Sequence, residues 1–394
     1  MTPIDFSALQ TPCFVFDEAE LRQNFSDFRR ALAEHWSPKS NVAYSVKTNP
    51  FPWILDIAKA EGCYAEVVSN EEYALALKQG FPPSQIVFNG PIKGKEWLFY
   101  ALDNGSYVNL DSQREIAWVK EYAASGKRAR IGVRANVLLE KYCPGETLSD
   151  ERHGRFGFSY EGGALKTALA ELQACDNVDI IGLHMHVTTL SRSQKVYRTL
   201  ADCAAEIIRE FGLSLEYFDI GGGFYGGGPK NVGAYDEYVR TIREAVGASC
   251  LPEETELIVE PGGAVVCTPG YYAGRVIDVK DIVDEHYVVT ELSRINIDHE
   301  MKKTSYVHEM LTDSTEMLPR QIVCGYTCMD SDRLFTAHDE PALKPGDMVV
   351  IRYAGAYSMS FTPQFFIEYP PAVYAVNDEG AHLLREPWNE LPPQ

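Results

Sequence analysis

The run Asn41-Val42-Ala43-Tyr44-Ser45-Val46-Lys47-Thr48-Asn49-Pro50 decides how the rest of the chain is read. Residues 42–46 are apolar and β-prone, so they read as a short strand that delivers Lys47 to a polar exit closed by Asn49-Pro50. A lysine ending an apolar strand is either a solvated cap or a desolvated amine with a chemical task. The surrounding sequence chooses between the two.

On both sides of this stretch one pattern recurs. A first strand is expected at 11–16, with Asp17 capping a helix that runs to about His35. Short apolar strands then follow at 42–46, 64–68, 86–88, 107–110, 129–133, 180–187, 217–220 and 257–259. Helically spaced stretches separate most of them, at 53–60, 71–79, 95–104, 112–124, 163–172, 197–211 and 235–246. Eight strands alternating with helices form the pattern of a (β/α)8 barrel, a TIM barrel, with an open doubly wound sheet as the alternative. The connection from Asn136 to Tyr160, rich in charge and glycine, reads as a binding loop or a disordered insertion. After Gly263 alternating segments take over, at 272–279, 286–292, 321–324, 348–353 and 372–376, with turn signals such as Lys344-Pro345-Gly346-Asp347 between them. The expected division is an α/β barrel over 17–263 and a β domain built from 1–16 and 264–394.

Composition narrows the function. The 394 residues are 45% hydrophobic and 23% charged, as in a soluble globular protein, and the net charge of -20 speaks against nucleic acid or an anionic membrane as partner. No apolar run reaches membrane-spanning length, and Met1-Thr2-Pro3-Ile4-Asp5 lacks the basic and apolar regions of a signal peptide. Nine scattered cysteines, odd in number, suit reduced thiols, so a cytoplasmic protein is expected.

In a barrel the chemistry sits where strands end. Those ends supply Lys47, Ser69, Asn89, Asp111, Arg134, His186, Gly221 and Glu260. After the seventh strand, Asp219-Ile220-Gly221-Gly222-Gly223-Phe224-Tyr225-Gly226-Gly227-Gly228 offers backbone N–H groups that can surround a phosphate, or else is a flexible turn. Gly221, Gly223 and Gly226 also match the dinucleotide spacing, but Pro229-Lys230-Asn231 delays the helix that such a site needs. After the eighth strand, Glu260-Pro261-Gly262-Gly263 places a carboxylate beside that loop, suited to a cationic ring nitrogen, or simply forms a turn. His184 and His186 alternate onto one face as a metal pair would. No further ligands stand at an obvious spacing, so no metal is expected, and His186 reads better as a flat imidazole against a planar cofactor. Cys324 and Cys328 lack the second pair that would complete a metal knuckle. A lysine, a phosphate cradle, a carboxylate and a stacking histidine together describe a pyridoxal phosphate site.

On these residues the chain resembles the fold-type III pyridoxal phosphate decarboxylases, the family of diaminopimelate and ornithine decarboxylases. Tyr44-Ser45-Val46-Lys47-Thr48-Asn49 looks like the family's anchor strand, with Lys47 bonded to the cofactor. Gly182-Leu183-His184-Met185-His186 resembles its stacking-histidine strand, Gly221-Gly222-Gly223 its phosphate loop and Glu260-Pro261-Gly262 its pyridine-binding turn. The resemblance implies that Cys328 and Asp332, as a C-x-x-x-D element, reach across a homodimer interface into the partner's site, and that Tyr357 touches the cofactor. Arg155-Phe156-Gly157 is similar to a further family element. The resemblance thus implies a carboxy-lyase of amino-acid metabolism in which Lys47, Cys328, Glu260 and His186 are catalytic. Lys47, His186, Gly221, Gly222, Gly223, Glu260, Gly262 and Tyr357 would hold the cofactor, and Asp332, Asp330, Met329 and Tyr357 would face the substrate.

Some positions depart from the family. Gly263 stands where the family usually has arginine, and Met329 stands where diaminopimelate decarboxylases have an acidic residue. Glu66 replaces a common aspartate, and Thr188-Thr189 replaces Gly-Ser. The expectation is therefore a decarboxylase of an amino acid or an amino-acid-derived intermediate other than meso-diaminopimelate itself. An amino-acid racemase is the alternative, ahead of a non-catalytic pyridoxal phosphate-binding regulator and a metal hydrolase.

Overall fold

The eight apolar runs close on themselves. A computed structural model describes residues 4–147, 154–228, 231, 233–298, 302–303, 305–359 and 371–387. Its strands begin with β1 (Cys13–Asp17), β2 (Asn41–Ser45), β3 (Tyr64–Val67), β4 (Ile86–Phe88), β5 (Tyr107–Leu110), β6 (Ala129–Asn136) and β7 (Phe158–Ser159). They continue with β8 (Val178–Met185), β9 (Tyr217–Asp219), β10 (Glu256–Val259), β11 (Gly270–Ile282), β12 (Glu285–Thr290) and β13 (His308–Leu311). The last are β14 (Met317–Leu318), β15 (Gln321–Cys324), β16 (Arg333–Ala337), β17 (Glu340–Pro341), β18 (Met348–Arg352), β19 (Ala372–Asn377) and β20 (Gly380–Arg385).

By contacts the chain divides into Arg22–Ala264 and a second unit made of Met1–Leu21 and Val265–Gln394. In the first, β2 to β6 and β8 to β10 are all parallel. The circle is completed where Val259 of β10 lies opposite Val42 of β2 and Asn109 of β5 lies opposite Gly132 of β6. This is a closed (β/α)8 barrel, and the open-sheet alternative falls away. Strands buried on both faces explain why the sequence showed continuous apolar runs. Inside the barrel, Ala43, Val87, Tyr217 and Ile258 form one packed layer. A Cβ on Gly182 would sit 2.0 Å from the Tyr217 ring, so the glycine makes room for that aromatic plug. Outside, the helix Gln194–Phe211 turns Val196, Leu200, Ala204, Ile207 and Ile208 inward at helical spacing and ends on Gly212 in the left-handed conformation.

Two strand ends differ from expectation, and both differences matter for the site. β2 stops at Ser45, and Val46–Thr48 forms one 3-10 turn, so Lys47 projects from a turn rather than from a strand. β8 stops at Met185, which puts His186 just beyond the strand. Of the long connection after Asn136, residues 148–153 lie outside the described residues.

The second unit contains a nine-stranded sheet whose main path runs β16-β15-β12-β11-β1-β19-β20, with β18 on β11 and β13 on β18. The N-terminal strand β1 lies inside it, antiparallel to β11 and parallel to β19, with all five residues buried. Among the described residues no helix is long and apolar enough to cross a membrane.

Candidate active site

Lys47 projects into a cavity of about 550 Å³ at the strand-end rim of the barrel, lined among others by Glu66, Arg134, Phe156, His186 and Glu260. Its Nζ donates to Ser45 Oγ at 2.9 Å and to Glu66 Oε2 at 2.9 Å, and Ser45 Oγ donates to the same oxygen at 2.7 Å. Ser45 and Glu66 face each other in register across β2 and β3, which is why the three groups meet. Glu66 is 1% exposed, while the Lys47 side chain is 40% exposed. The amine is held from below and open above.

A polar layer spreads from Glu66 across the floor. Asn89, just past β4, donates Nδ2 to Glu66 Oε1 at 3.2 Å and also to Glu260 Oε1. Its Oδ1 accepts from Asn109 Nδ2 at 2.9 Å, and that nitrogen also reaches Asp219 Oδ2 at 3.1 Å. The Tyr217 hydroxyl donates to Asn109 Oδ1 at 2.8 Å. Such a buried network is stable only when its members satisfy one another, and here they do.

Glu260, Asp219 and His184 form the deepest group, with one ligand atom of each within 4.8 Å of the others. Burial, followed by repulsion from Glu260, pushes the Asp219 carboxyl well above the usual carboxylate range, so it keeps its proton and donates it toward Glu260. Burial alone would raise Glu260 too, but His184, the Asp219 proton and Lys47 together outweigh it and hold Glu260 below the usual range as an anion. Burial pulls the His184 pKa down, against the attraction of Glu260; Nε2 lies 3.6 Å from Glu260 Oε2, and among the described residues neither ring nitrogen has a hydrogen-bond partner.

His186 takes a different position from His184. Its Nδ1 accepts from the N–H of Gly222 at 3.2 Å. Burial, then the Arg134 cation, pulls its pKa down to about 3, which keeps the ring neutral and Nδ1 an acceptor. Arg134 is fixed by Asp111 Oδ1 at 3.2 Å and by the His186 carbonyl at 3.2 Å.

The glycines stand behind His186 and Glu260. Gly221 has φ 71° and Gly223 φ 83°, both in the left-handed region. A Cβ on Gly221 would lie 2.5 Å from His186 Cβ, and one on Gly222 would lie 2.2 Å from the Glu260 carbonyl oxygen. The N–H groups of Gly221 and Gly222 go to Asp219 and His186. Those of Gly223, Phe224 and Gly226 have no acceptor among the described residues, which makes them a ready anion cradle. Gly262 packs so tightly on Thr48 that a Cβ there would meet Oγ1 at 1.9 Å. A reachable amine, a neutral flat ring, a buried carboxylate and unsatisfied backbone donors all fit pyridoxal phosphate.

Glu66, Asn89, Ser45 and Asp219 were missing from the expected site. Asn89 did stand at a strand end, but nothing in the sequence links it to Glu260, 171 positions away. The expected residues of the β unit are described within that unit. Cys328 and Asp330 are exposed, and Met329 is half-buried. Asp332 is 2% exposed and accepts from Ser293 Oγ at 2.9 Å, Arg294 N at 2.9 Å and Thr327 Oγ1 at 2.6 Å. Its carboxylate is engaged in bracing the turn that carries Cys328, and Asp330 is the acid of that turn open to solvent. Tyr357 is 43% exposed and holds φ at 52°, an unusual conformation for a tyrosine.

Comparison with known proteins identifies the family. Residues 18–267 match the family described as "Pyridoxal-dependent decarboxylase, pyridoxal binding domain". A probable chloroplastic diaminopimelate decarboxylase of Oryza sativa subsp. japonica is 28% identical, covering 95% of this chain and 77% of its own. The diaminopimelate decarboxylase of Zymomonas mobilis is likewise 28% identical, over 95% of this chain and 90% of its own. In fold, the crystal structure of Helicobacter pylori diaminopimelate decarboxylase complexed with L-lysine superposes with a TM-score of 0.81 at 24% identity, over 97% of this chain and 95% of that one.

These relatives overturn the expectation that set meso-diaminopimelate aside. That exclusion rested on departures at Gly263, Met329, Glu66 and Thr188-Thr189, chiefly the side chains missing at Gly263 and Met329. The physical reason it fails is that the cavity draws its charged groups from several strand ends and loops, so one absent arginine does not decide what it holds. With the matched region covering more than half its length and the fold in agreement, the chain belongs to the pyridoxal-dependent decarboxylases, and it is a carboxy-lyase whose cofactor is pyridoxal phosphate.

Proposed function

We propose that the protein removes CO2 from meso-diaminopimelate and leaves L-lysine, acting as a cytoplasmic homodimer. The observation that carries the reading is Glu260, buried at the floor of a cavity whose rim presents Lys47. The full-length relatives named for this reaction support the choice of substrate. L-lysine is what remains of meso-diaminopimelate when its D-configured end loses the carboxylate.

When bound, pyridoxal phosphate supplies an electron sink for the pair released as CO2 departs. The chain's own residues do the rest. Glu260 would meet the cofactor's ring nitrogen and, as an anion, favour its protonated form, while Asn89 and the Asp219 proton fix the orientation of the carboxylate. His186, neutral, offers a flat face without adding a charge that would oppose the sink. Ser45 and Glu66 hold the Lys47 amine where it can give way to the substrate amine and return afterwards. Cys328 is assigned as proton donor to the carbon that loses CO2, serving the second subunit's cavity, which is what makes the dimer part of the proposal.

Incubating the purified holoprotein with a panel of amino acids tests this directly. Meso-diaminopimelate should yield CO2 and lysine in equal amounts. Release from other amino acids but not from this one would overturn the substrate, and racemisation without CO2 would replace the reaction. Cys328→Ala should keep the visible absorbance and slow turnover; unchanged kinetics would remove Cys328 from the mechanism.

A further inference from the structure

Phe156 carries two guanidinium groups. Arg134 Cζ lies 4.8 Å and Arg155 Cζ 4.1 Å from its ring centroid. Both arginines and the phenyl ring line the cavity with Lys47. Two like charges one phenyl ring apart repel each other unless anions balance them. Arg134 is balanced, with Asp111 at 3.2 Å and 8% exposure. Lys47 is balanced by Glu66, and Glu260 is engaged on the cavity floor by Asn89. Arg155 is exposed and makes no ion pair with any carboxylate among the described residues.

The segment is held in place. Asn136, at the end of β6, donates Nδ2 to the carbonyl oxygens of Gly154 and Phe156 at 2.6 and 2.7 Å, one on each side of Arg155. Gly157 then turns with φ 74°, and a Cβ there would strike the Arg134 carbonyl oxygen at 2.6 Å. Arg155 is therefore a cation on a fixed backbone, with its plane supported by an aromatic ring, opening into the cavity that contains the reactive amine. A guanidinium so placed suits a carboxylate, which it can grip with two parallel N–H bonds.

We infer that Arg155, stacked on Phe156, is the receptor for the substrate carboxylate that is not lost. This rests on the reading of the substrate as a dicarboxylic diamine, and it supplies the second cation that Gly263, with no side chain, does not. The same group would repel a substrate whose far end is only an ammonium, and so would select diaminopimelate over shorter or singly acidic diamines by charge as well as by length.

The test compares two probes that differ by this carboxylate, L-lysine and 1,5-diaminopentane, titrated against the visible absorbance of the holoprotein. Wild type should bind L-lysine more tightly. Arg155→Gln should weaken L-lysine about 10–100-fold, the scale of a charge-assisted hydrogen-bonded pair, and leave 1,5-diaminopentane unchanged or tighter. Arg155→Lys, which keeps the charge without the fork, should fall between. A wild type that binds both probes equally, or an Arg155→Gln loss that is the same for both, overturns the inference. An unaltered holoprotein spectrum in the variants shows that the fold and cofactor site survive. CO2 release from meso-diaminopimelate by wild type is scored separately, so failure of the substrate assignment and failure of the Arg155 assignment give different results.

Discussion

Two lysines of the barrel each meet one glutamate, and the fold puts them to opposite uses. Lys93 and Glu115 are both 0% exposed and 3.2 Å apart. Lys93 Nζ also donates to the Gly90 carbonyl at 2.6 Å, and Glu115 Oε2 accepts from the Asp111 N–H at 2.7 Å. Burial lowers the Lys93 pKa and raises that of Glu115, in each case against the pull of the partner. Lys47 meets Glu66 at the shorter distance of 2.9 Å, yet its side chain is 40% exposed. The sealed pair ties the loop after β4 to the loop after β5 and so steadies Asn89 on one side and Asp111 with Arg134 on the other. The open pair leaves its amine within reach of a small molecule. Access, more than residue type or pairing, separates a brace from a reagent.

Removing each lysine in turn should pull the two roles apart. Lys47→Ala should cost at least about four orders of magnitude in decarboxylation, the scale seen when a covalent-catalysis residue is lost. It should also abolish the visible absorbance. The variant should still fold, because Ser45 and Asn89 go on satisfying Glu66. Retained activity in a protein of normal stability would break the comparison.

Lys93→Met should act the other way, destabilising the fold by roughly 3–5 kcal/mol because Glu115 is left buried without its cation. Adding Glu115→Leu should restore much of that loss in urea unfolding. A double variant as unstable as the single one would show that shape, not charge, governs this spot.

The smallest effect is expected on the outside of the barrel, at a third cation–carboxylate group. Asp236 accepts from Arg30 and His35, and those partners, Arg30 first, hold its pKa below the usual carboxylate range against the cost of burial. A carboxylate depressed in the folded state contributes stability that is complete above its unfolded value near 4 and is lost as pH falls through the folded one. Asp236→Asn should therefore flatten the acid limb of stability below about pH 4, by no more than about 1 kcal/mol given the exposed arginine. An unchanged acid limb would show that this group adds nothing measurable.

The barrel was legible because parallel strands buried on both faces leave uninterrupted apolar runs that end in polar residues. Two of the strands that escaped notice lack that mark. β13 (His308–Leu311) is half-buried to exposed along its length, and β20 is mostly exposed, so neither shows a clean alternation. In the site, Lys47, His186, the glycines and Glu260 were visible because each ends a strand or fills a tight turn. Glu66, Asn89 and Asp219 were not, because their roles come from barrel closure, which brings β4 beside the floor formed by β9 and β10. The substrate was misjudged for a related reason. Gly263 was weighed as a missing cation, while Arg155 arrives from a loop whose approach to Phe156 and Arg134 no spacing rule describes.

The position of β1 has a consequence for how the chain is made. One of the two neighbours of this strand, β19, is made about 350 residues after it, roughly 20–70 seconds later at ordinary synthesis rates. Until then Cys13, Phe14, Val15 and Phe16, all buried in the folded protein, keep one edge of their strand unpaired. The barrel can form in that interval, and β11 can already pair with β1, but the β unit cannot be completed until β19 has been made. During that wait, a nascent chain is exposed to wrong pairing with its neighbours on the same message.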